Sequence, residues 1–563
     1  MLPSLLSRIP LLRTITTHIE SLSLGDRLVA CILLFFVLAS TLVSLYTLEK
    51  RYLVRVPAHG GSITEGVIGA PRFVNPLLAN SDTDRDLVAL TYAGLMGHDS
   101  AGLLIPVLAE SYTISEDGRT YTFTLRDAIT FSDGTPVTAD DVVYTVQKAQ
   151  DPMLKSSVYS NWVNVRAEAV DTRTVRFTLP RAYPPFIEDA TLGILPAHIW
   201  KKITDAEFAF SPYTTKPIGA GPFVAGDIVR NDAGVVTSYT TTAFDEYALG
   251  TPNLEEINFL FYSDTTALSA ALTKGTIDSA YGIPHAGAIV VPYTQIFAVF
   301  FNKDQASVFS HLEVRTALSL ALDRKSLVAN ELGGFAQAIN GPLPSMEDTT
   351  SLSHEELLLQ ARQTLIAQKW SFSSTTSTWT KGKETLQFTL KTANLPELKT
   401  IAGVAQKNWQ ELGVPVSLEF YAPGELAQTV IRPRKFEALL FGEVTGASPD
   451  LFAFWHSTGR NDPGLNIAGF SDAAVDALVV KAQAAKDPGA REAAVQAAAE
   501  KIRDTYAAAF IHSPYFIYAT APGLFGVTLH TISSPSDRFN GVHNWYLRSE
   551  LVWPYFTTRA ARS

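Results

Sequence analysis

Two clusters in this 563-residue chain carry the residue types of metal chemistry. His354-Glu355-Glu356-Leu357 opens like the helix of a zinc hydrolase, where a second histidine one turn on completes the metal site and the glutamate serves as base. Position 358 is leucine, so the ligand set stops short. Asp82-Thr83-Asp84-Arg85-Asp86 begins like a calcium loop, but Leu87 stands where the turn glycine belongs and Ala93 where the bidentate acid belongs. Both clusters read as charges at the start of helices. Cys31 is the only cysteine and lies in an apolar segment, which leaves the rest of the chain without a disulfide, a thiolate nucleophile or a cysteine metal site. No Gly-x-Ser-x-Gly elbow, Walker loop or strand-borne Gly-x-Gly-x-x-Gly occurs. The sequence therefore calls for no cofactor and offers no positive support for an enzyme.

What remains is binding chemistry. Ala438 to Thr445 (Ala-Leu-Leu-Phe-Gly-Glu-Val-Thr) reads as a buried strand, and alternation puts Glu443 and Thr445 on one face. Upstream, Arg432 and Arg434 could meet a ligand carboxylate, or form an exposed basic loop with Pro433 and Lys435.

The positioning elements mix sheet and helix. Tyr112–Ile114 and Tyr121–Leu125 flank Glu116-Asp117-Gly118, a hairpin pattern, and Thr174–Leu179 alternates with Val175, Phe177 and Leu179 on one face. Thr138-Ala-Asp-Asp141 starts a helix, as does Ser310 with Glu313 in capping-box spacing, and an alanine-rich helix follows Pro488-Gly489. The Ser/Thr stretches at 346–353 and 371–380 read as loops.

Length alone asks for several lobes, and 46% hydrophobic content with 10% aromatics excludes a disordered chain. Residues 1–58 hold six Lys/Arg and three Asp/Glu, so the remainder carries a formal charge of −13, which argues against a nucleic-acid partner. Leu28 to Leu48 is 21 residues without a charge, roughly 31 Å as a helix. That spans a bilayer core. No small-x-small cleavage site ends the run, and Leu28-Val29-Ala30-Cys31 precedes the apolar stretch where a lipoprotein box would follow it. The expectation is one uncleaved transmembrane helix at 28–48, after a short segment 1–27 lying along the inner membrane surface and before a tether at 49–60.

Five segments in order resemble the dipeptide, oligopeptide and nickel-binding class of bacterial extracellular solute-binding proteins, family 5. They are Asn75-Pro76-Leu77, the run Tyr121–Tyr144, Ile218-Gly-Ala-Gly-Pro-Phe223, Val314–Arg324 and Ser448-Pro449-Asp450. The resemblance implies an α/β, two-lobed periplasmic-binding-protein-like (class II) fold with an extra inserted domain. Its expected limits are lobe I at 61–103 and 206–292, the insertion at 104–205, lobe II at 293–512, and a return to lobe I with the C-terminal tail at 513–563. It implies a receptor that passes peptides or peptide-like solutes to the membrane subunits of an ABC importer, with the large domain outside. In peptide-binding relatives an aspartate four residues before the proline of the last motif pairs with the ligand's α-amino group; here that position is Thr445. Glu443, two residues earlier, is expected either to supply the missing negative charge or to face only water. Tyr159 and Trp162 follow the helix where relatives offer an aromatic to the cleft, and core packing is the competing reading. The expected ligand-binding set is Tyr159, Trp162, Arg432, Gly442, Glu443, Val444 and Thr445. A non-peptide solute, whether a metal chelate, a sugar or a cell-wall fragment, and a sensory or scaffolding role stand as alternatives.

Overall fold

The computed structural model describes residues 23–446 and 449–553. Residues 1–22 of the expected segment 1–27, Ser448 of the last motif and the tail beyond 553 lie outside the described residues. The chain forms two compact units, one made of its two ends (to Ala58 and from Leu547) and one from His59 to Tyr546.

In the first unit, helix α1 (Leu24–Tyr52) contains a 24-residue apolar stretch, Leu24–Thr47, none of it buried. At 1.5 Å per residue that stretch is about 36 Å long, enough to cross a bilayer. Two of its hydroxyls bond its own backbone, Thr41 Oγ1 donating to Val37 O (2.7 Å) and Thr47 Oγ1 to Ser44 O (2.9 Å). Hydroxyls turned back on the helix in this way are tolerated in an apolar medium. Val54–Ala58 then pairs antiparallel with Arg548–Val552, joining the two ends of the chain.

The second unit is organised on one long sheet. Strand β1 (Ser62–Ile68) lies parallel to Glu256–Tyr262, and helix α2 (Asp82–Thr91) follows it in sequence. Further along come β2 (Gln295–Phe301), helix α3 (Pro396–Leu412), β3 (Ala438–Val444) and β4 (Ala508–Ala519). Strand β4 belongs to both lobes: residues 508–512 pair with β2, while Tyr515–Ala519 pairs with Ile289–Pro292 and Ser279–Tyr281. The partners of β4 thus change at Ser513-Pro514, beside Tyr293-Thr294 at the entry to β2. Ser513 Oγ ties these two points together, bonding Tyr293 O (3.0 Å) and Gln295 O (2.8 Å). Pro514, with no N–H to give the ladder, sits where one set of partners gives way to the other.

Each lobe has its own core. That of lobe II gathers around Trp409, Phe388 and Phe309, which meet edge to face. The inserted four-stranded sheet, Ala109–Ile114, Thr120–Leu125, Thr174–Thr178 and Arg166–Ala169, buries Phe123, Val175 and Phe177. Its core also draws in Leu77, Tyr92 and Ala220, beyond the expected limits of 104 and 205. In lobe I the buried Arg538 guanidinium donates to Glu65 Oε1 (2.9 Å) and in bidentate fashion to Asp86 Oδ1 and Oδ2 (2.8 and 2.7 Å). Glu65 further accepts from Ser279 and from Tyr518 Oη (3.0 Å). One cation thereby fastens β1, α2 and the lobe I end of β4.

Several local expectations hold. Both acidic clusters begin helices, with capping boxes at Ser81/Asp84 and Ser353/Glu356, and Asp141 accepts from Thr138 N–H and Oγ1 at the head of Ala139–Ala149. Two differ. The helix expected from Ser310 starts at Leu312 without a side-chain cap, because the Glu313 carboxylate turns to Lys381 Nζ (2.9 Å) and Trp370 Nε1 (3.3 Å). The 371–380 stretch contains paired strands, Ser371–Ser373 with Thr378–Lys381, since Trp379 is buried with its indole N–H on Leu412 O (2.9 Å). Tertiary burial of one large ring there outweighs a loop-like composition.

Candidate functional site

Where the lobes meet at the strand crossings there is a cavity of about 600 Å³. Register decides its floor. Gln295 pairs with Val444, and Phe297 pairs with Gly442 on one side and His512 on the other, so all five occupy one face of the sheet. The Phe297 ring stacks on the His512 imidazole at 4.8 Å and 8°. A side chain at Gly442 would place Cβ 2.8 Å from Phe297 Cε1 and 3.1 Å from Gln295 Nε2, so glycine there is what lets the phenyl ring lie against the strand.

Lobe I supplies the opposite wall. Tyr281 and Phe516 stack at 5.8 Å, Tyr293 meets Phe516 edge-on, and the Arg538 guanidinium lies 4.7 Å from the Tyr281 ring centre. Burial drives the Tyr281 hydroxyl up and that of Tyr293 up to about 12, so both stay neutral and able to donate or accept. Asp82 and Arg85, from the first turn of α2, also line the cavity and pair with each other at 2.5 Å. Glu397, in the first turn of α3, completes the charged lining.

Away from this cavity, Tyr183 Oη faces Asp450 Oδ2 at 3.5 Å, Gln483 holds the same oxygen (2.8 Å), and Lys486 Nζ donates to Glu116 O (2.7 Å), so a few polar contacts join the inserted region to the segment 450–486.

The expected site residues fare unevenly. Val444 faces the cavity and Gly442 lies beneath Phe297. Glu443 does not face it. It pairs with the fully buried Ile296 on the other side of the sheet, is 3% exposed, and neither carboxylate oxygen has a partner among the described residues. Burial raises its pKa well above the ordinary value, which holds it neutral and corrects the expectation that it offers a negative charge. Thr445 is buried too, its hydroxyl donating to Thr294 O (3.0 Å). Trp162 is core: it is 2% exposed and packs edge-on against Phe177 and Phe186 at 5.5 and 5.4 Å. Tyr159 is half-buried and Arg432 exposed, and neither lines this cavity; Arg434 is spent on the carbonyls of Ile431 and Gly464.

Sequence reasoning missed Phe297, Glu397, His512 and the lobe I aromatics. A signal for His512 exists: it and Ser513 are the only strongly polar residues in the apolar run 508–519. For Glu397 there is none beyond its place at a helix start. Among the described residues no group of three or more His, Cys, Asp and Glu could hold a metal ion.

A two-lobed sheet with a cavity at paired crossings is the architecture of a solute receptor. Residues 104–464 match the family described as bacterial extracellular solute-binding proteins, family 5 Middle, and the chain belongs to that family. It is 25% identical over 519 residues to the oligopeptide-binding protein AppA of Bacillus subtilis, covering 87% of this chain and 92% of that one. It is also 25% identical over 545 residues to the glutathione-binding protein GsiB of Pectobacterium atrosepticum, covering 89% and 97%. The crystal structure of the ABC transporter substrate-binding protein CtaP of Listeria monocytogenes superposes with a TM-score of 0.72 at 26% identity, over 87% of this chain and 99% of that one.

Proposed function

We propose that this chain is a membrane-anchored extracytoplasmic receptor that captures peptides or peptide-like solutes in the cavity between its lobes and delivers them to the membrane subunits of an ABC importer. Helix α1 is its single-pass anchor, with the short N-terminal segment on the cytoplasmic side. The observation that carries the reading is the cavity itself, aromatic on one wall, charged at its edges and built where two strand crossings allow one lobe to swing against the other. Relatives named for oligopeptide and glutathione binding support the same ligand class. Residues 293–512 move as one body, hinging at Tyr293-Thr294 and Ser513-Pro514, and ligand contacts made only in the closed form favour closure. The chain binds and releases without catalysis, and ATP hydrolysis belongs to its partner subunits. The buried Thr445 keeps one competing reading, a non-peptide solute.

Native mass spectrometry of the full chain purified from its membrane tests this. Release of a family of peptide masses is the expected result. A single non-peptide mass would move the receptor to another solute class, and a chain that never carries a solute would turn the reading toward a sensory or scaffolding role.

A further inference from the structure

The charges on the cavity wall do not balance. Of the two acids that line it, Asp82 is neutralised by Arg85 at 2.5 Å. Glu397 is 53% exposed, and the basic side-chain nitrogen paired with it among the described residues is His512 Nε2 at 3.7 Å, beyond hydrogen-bond reach. His512 is itself fully buried at the cavity floor, and neither ring nitrogen has a partner among the described residues. A buried imidazole without partners is costly unless something in the working state satisfies it. The other acid near this end of the sheet, Glu443, points away from the cavity. Arg85, the only Lys or Arg in the lining among the described residues, is already occupied, donating to Asp82 and to Asn80 O (3.2 Å).

Resting on the peptide-receptor reading above, we propose that Glu397 is the residue that receives the ligand's amino-terminal ammonium group, with His512 positioning its carboxylate from behind, and that the cavity has no receptor for the ligand's carboxylate. The ammonium donates to the Glu397 carboxylate, drawing it onto His512 Nε2–H, so the acid gains a cationic partner and that ring nitrogen an acceptor. A cavity of net formal charge −1 whose one guanidinium is engaged selects for the amino end and tolerates a carboxyl end that is extended, amidated or absent. Single amino acids, with a carboxylate beside the ammonium, are poor ligands.

The test uses the full chain in detergent, offered equimolar random tripeptide-to-pentapeptide libraries with free termini, with N-acetylated amino ends, and with amidated carboxyl ends. Wild type is expected to retain the free and the amidated libraries alike and to bind the acetylated one at least tenfold more weakly. Glu397→Gln, at an exposed position where folding is preserved, should remove that discrimination, and Glu397→Asp should restore part of it; an unchanged unfolding temperature separates this from a folding defect. Equal retention of acetylated and free libraries by wild type, or full discrimination by Glu397→Gln, overturns the inference while leaving a peptide receptor. Failure of wild type to retain any library overturns the peptide reading and the inference together.

Discussion

Glu65 and Glu443 lie on strands of the same sheet, one in each lobe, and each is almost wholly removed from water. Glu65 is met by Arg538, Ser279 and Tyr518, and it shares its guanidinium with Asp86. Glu443 has only apolar neighbours across the ladder and no hydrogen-bond partner among the described residues. Lobe I has thus converted buried charge into a fastening that holds the aromatic wall of the cavity in place. Lobe II stores an unsatisfied acid directly behind the cavity floor. A buried carboxyl marks rigidity where its partners are present and a stability cost where they are not.

Removing the shared cation should give the largest effect on this contrast. Arg538→Met leaves two buried carboxyls uncompensated and is expected to cost about 3–5 kcal/mol in urea unfolding. It should also loosen Tyr281 and weaken ligand binding; a variant as stable as wild type would show that the network is not what secures lobe I. Next, Glu443→Leu should stabilise the protein by about 1–3 kcal/mol at neutral pH, because it removes an orphaned polar group from an apolar site. A loss of ligand affinity without a loss of stability would instead return Glu443 to the binding site.

The same groups set the pH dependence. Burial raises Glu443 well above its ordinary value and Asp86 from 3.8 to about 6, against the pull of Arg538. For an acid whose pKa is higher folded than unfolded, the stabilisation is complete below the unfolded pKa and is lost as pH rises through the folded one. The unfolding temperature should therefore fall between about pH 4 and 6 and continue to fall as Glu443 is forced to ionise, and Glu443→Gln should flatten the upper part of that slope.

Two smaller effects sharpen the comparison of the cavity's walls. Asp82→Asn frees Arg85 to meet a ligand carboxylate, so peptides with free carboxyl ends should gain on the order of tenfold over their amides, about 1.4 kcal/mol, in competition binding. Tyr183→Phe removes one long hydrogen bond, to Asp450, and should weaken ligand binding by about twofold at most, within the net worth of one exposed hydrogen bond. An effect far above that would make the Tyr183–Asp450 contact a principal determinant of closure.

Much of the scaffold is legible in the chain. The cap at Thr138 is local chemistry, set by side chains three residues apart, and it appears where spacing predicts it, whereas the one expected at Ser310 does not form and those at Ser81 and Ser353 head the two acidic clusters read as helix starts. The apolar stretch at 28–48 is equally local, because a bilayer asks only for length without charge. The candidate site was read far less well. Alternation predicts Glu443 and Thr445 on one face, yet the strand ends at Val444 and periodicity cannot tell which face meets the cavity. Trp162 was open to both readings for the same reason: its aromatic character suits a cleft and a core alike, and the rings of Phe177 and Phe186 around it decide for the core.

The sequence by itself determined the helix starts at Thr138 and at the acidic clusters, the apolar span, the alternating strands and the family they compose, since each depends on neighbours within a few positions along the chain. Only the tertiary structure decided that Glu397, Phe297 and His512, separated by 100 residues or more, share one cavity, that Arg85 is already engaged there, and that Glu443 is turned inward. Those outcomes depend on the register of β2 between β3 and β4. A shift by one residue in that register would exchange every side chain between the cavity and the core.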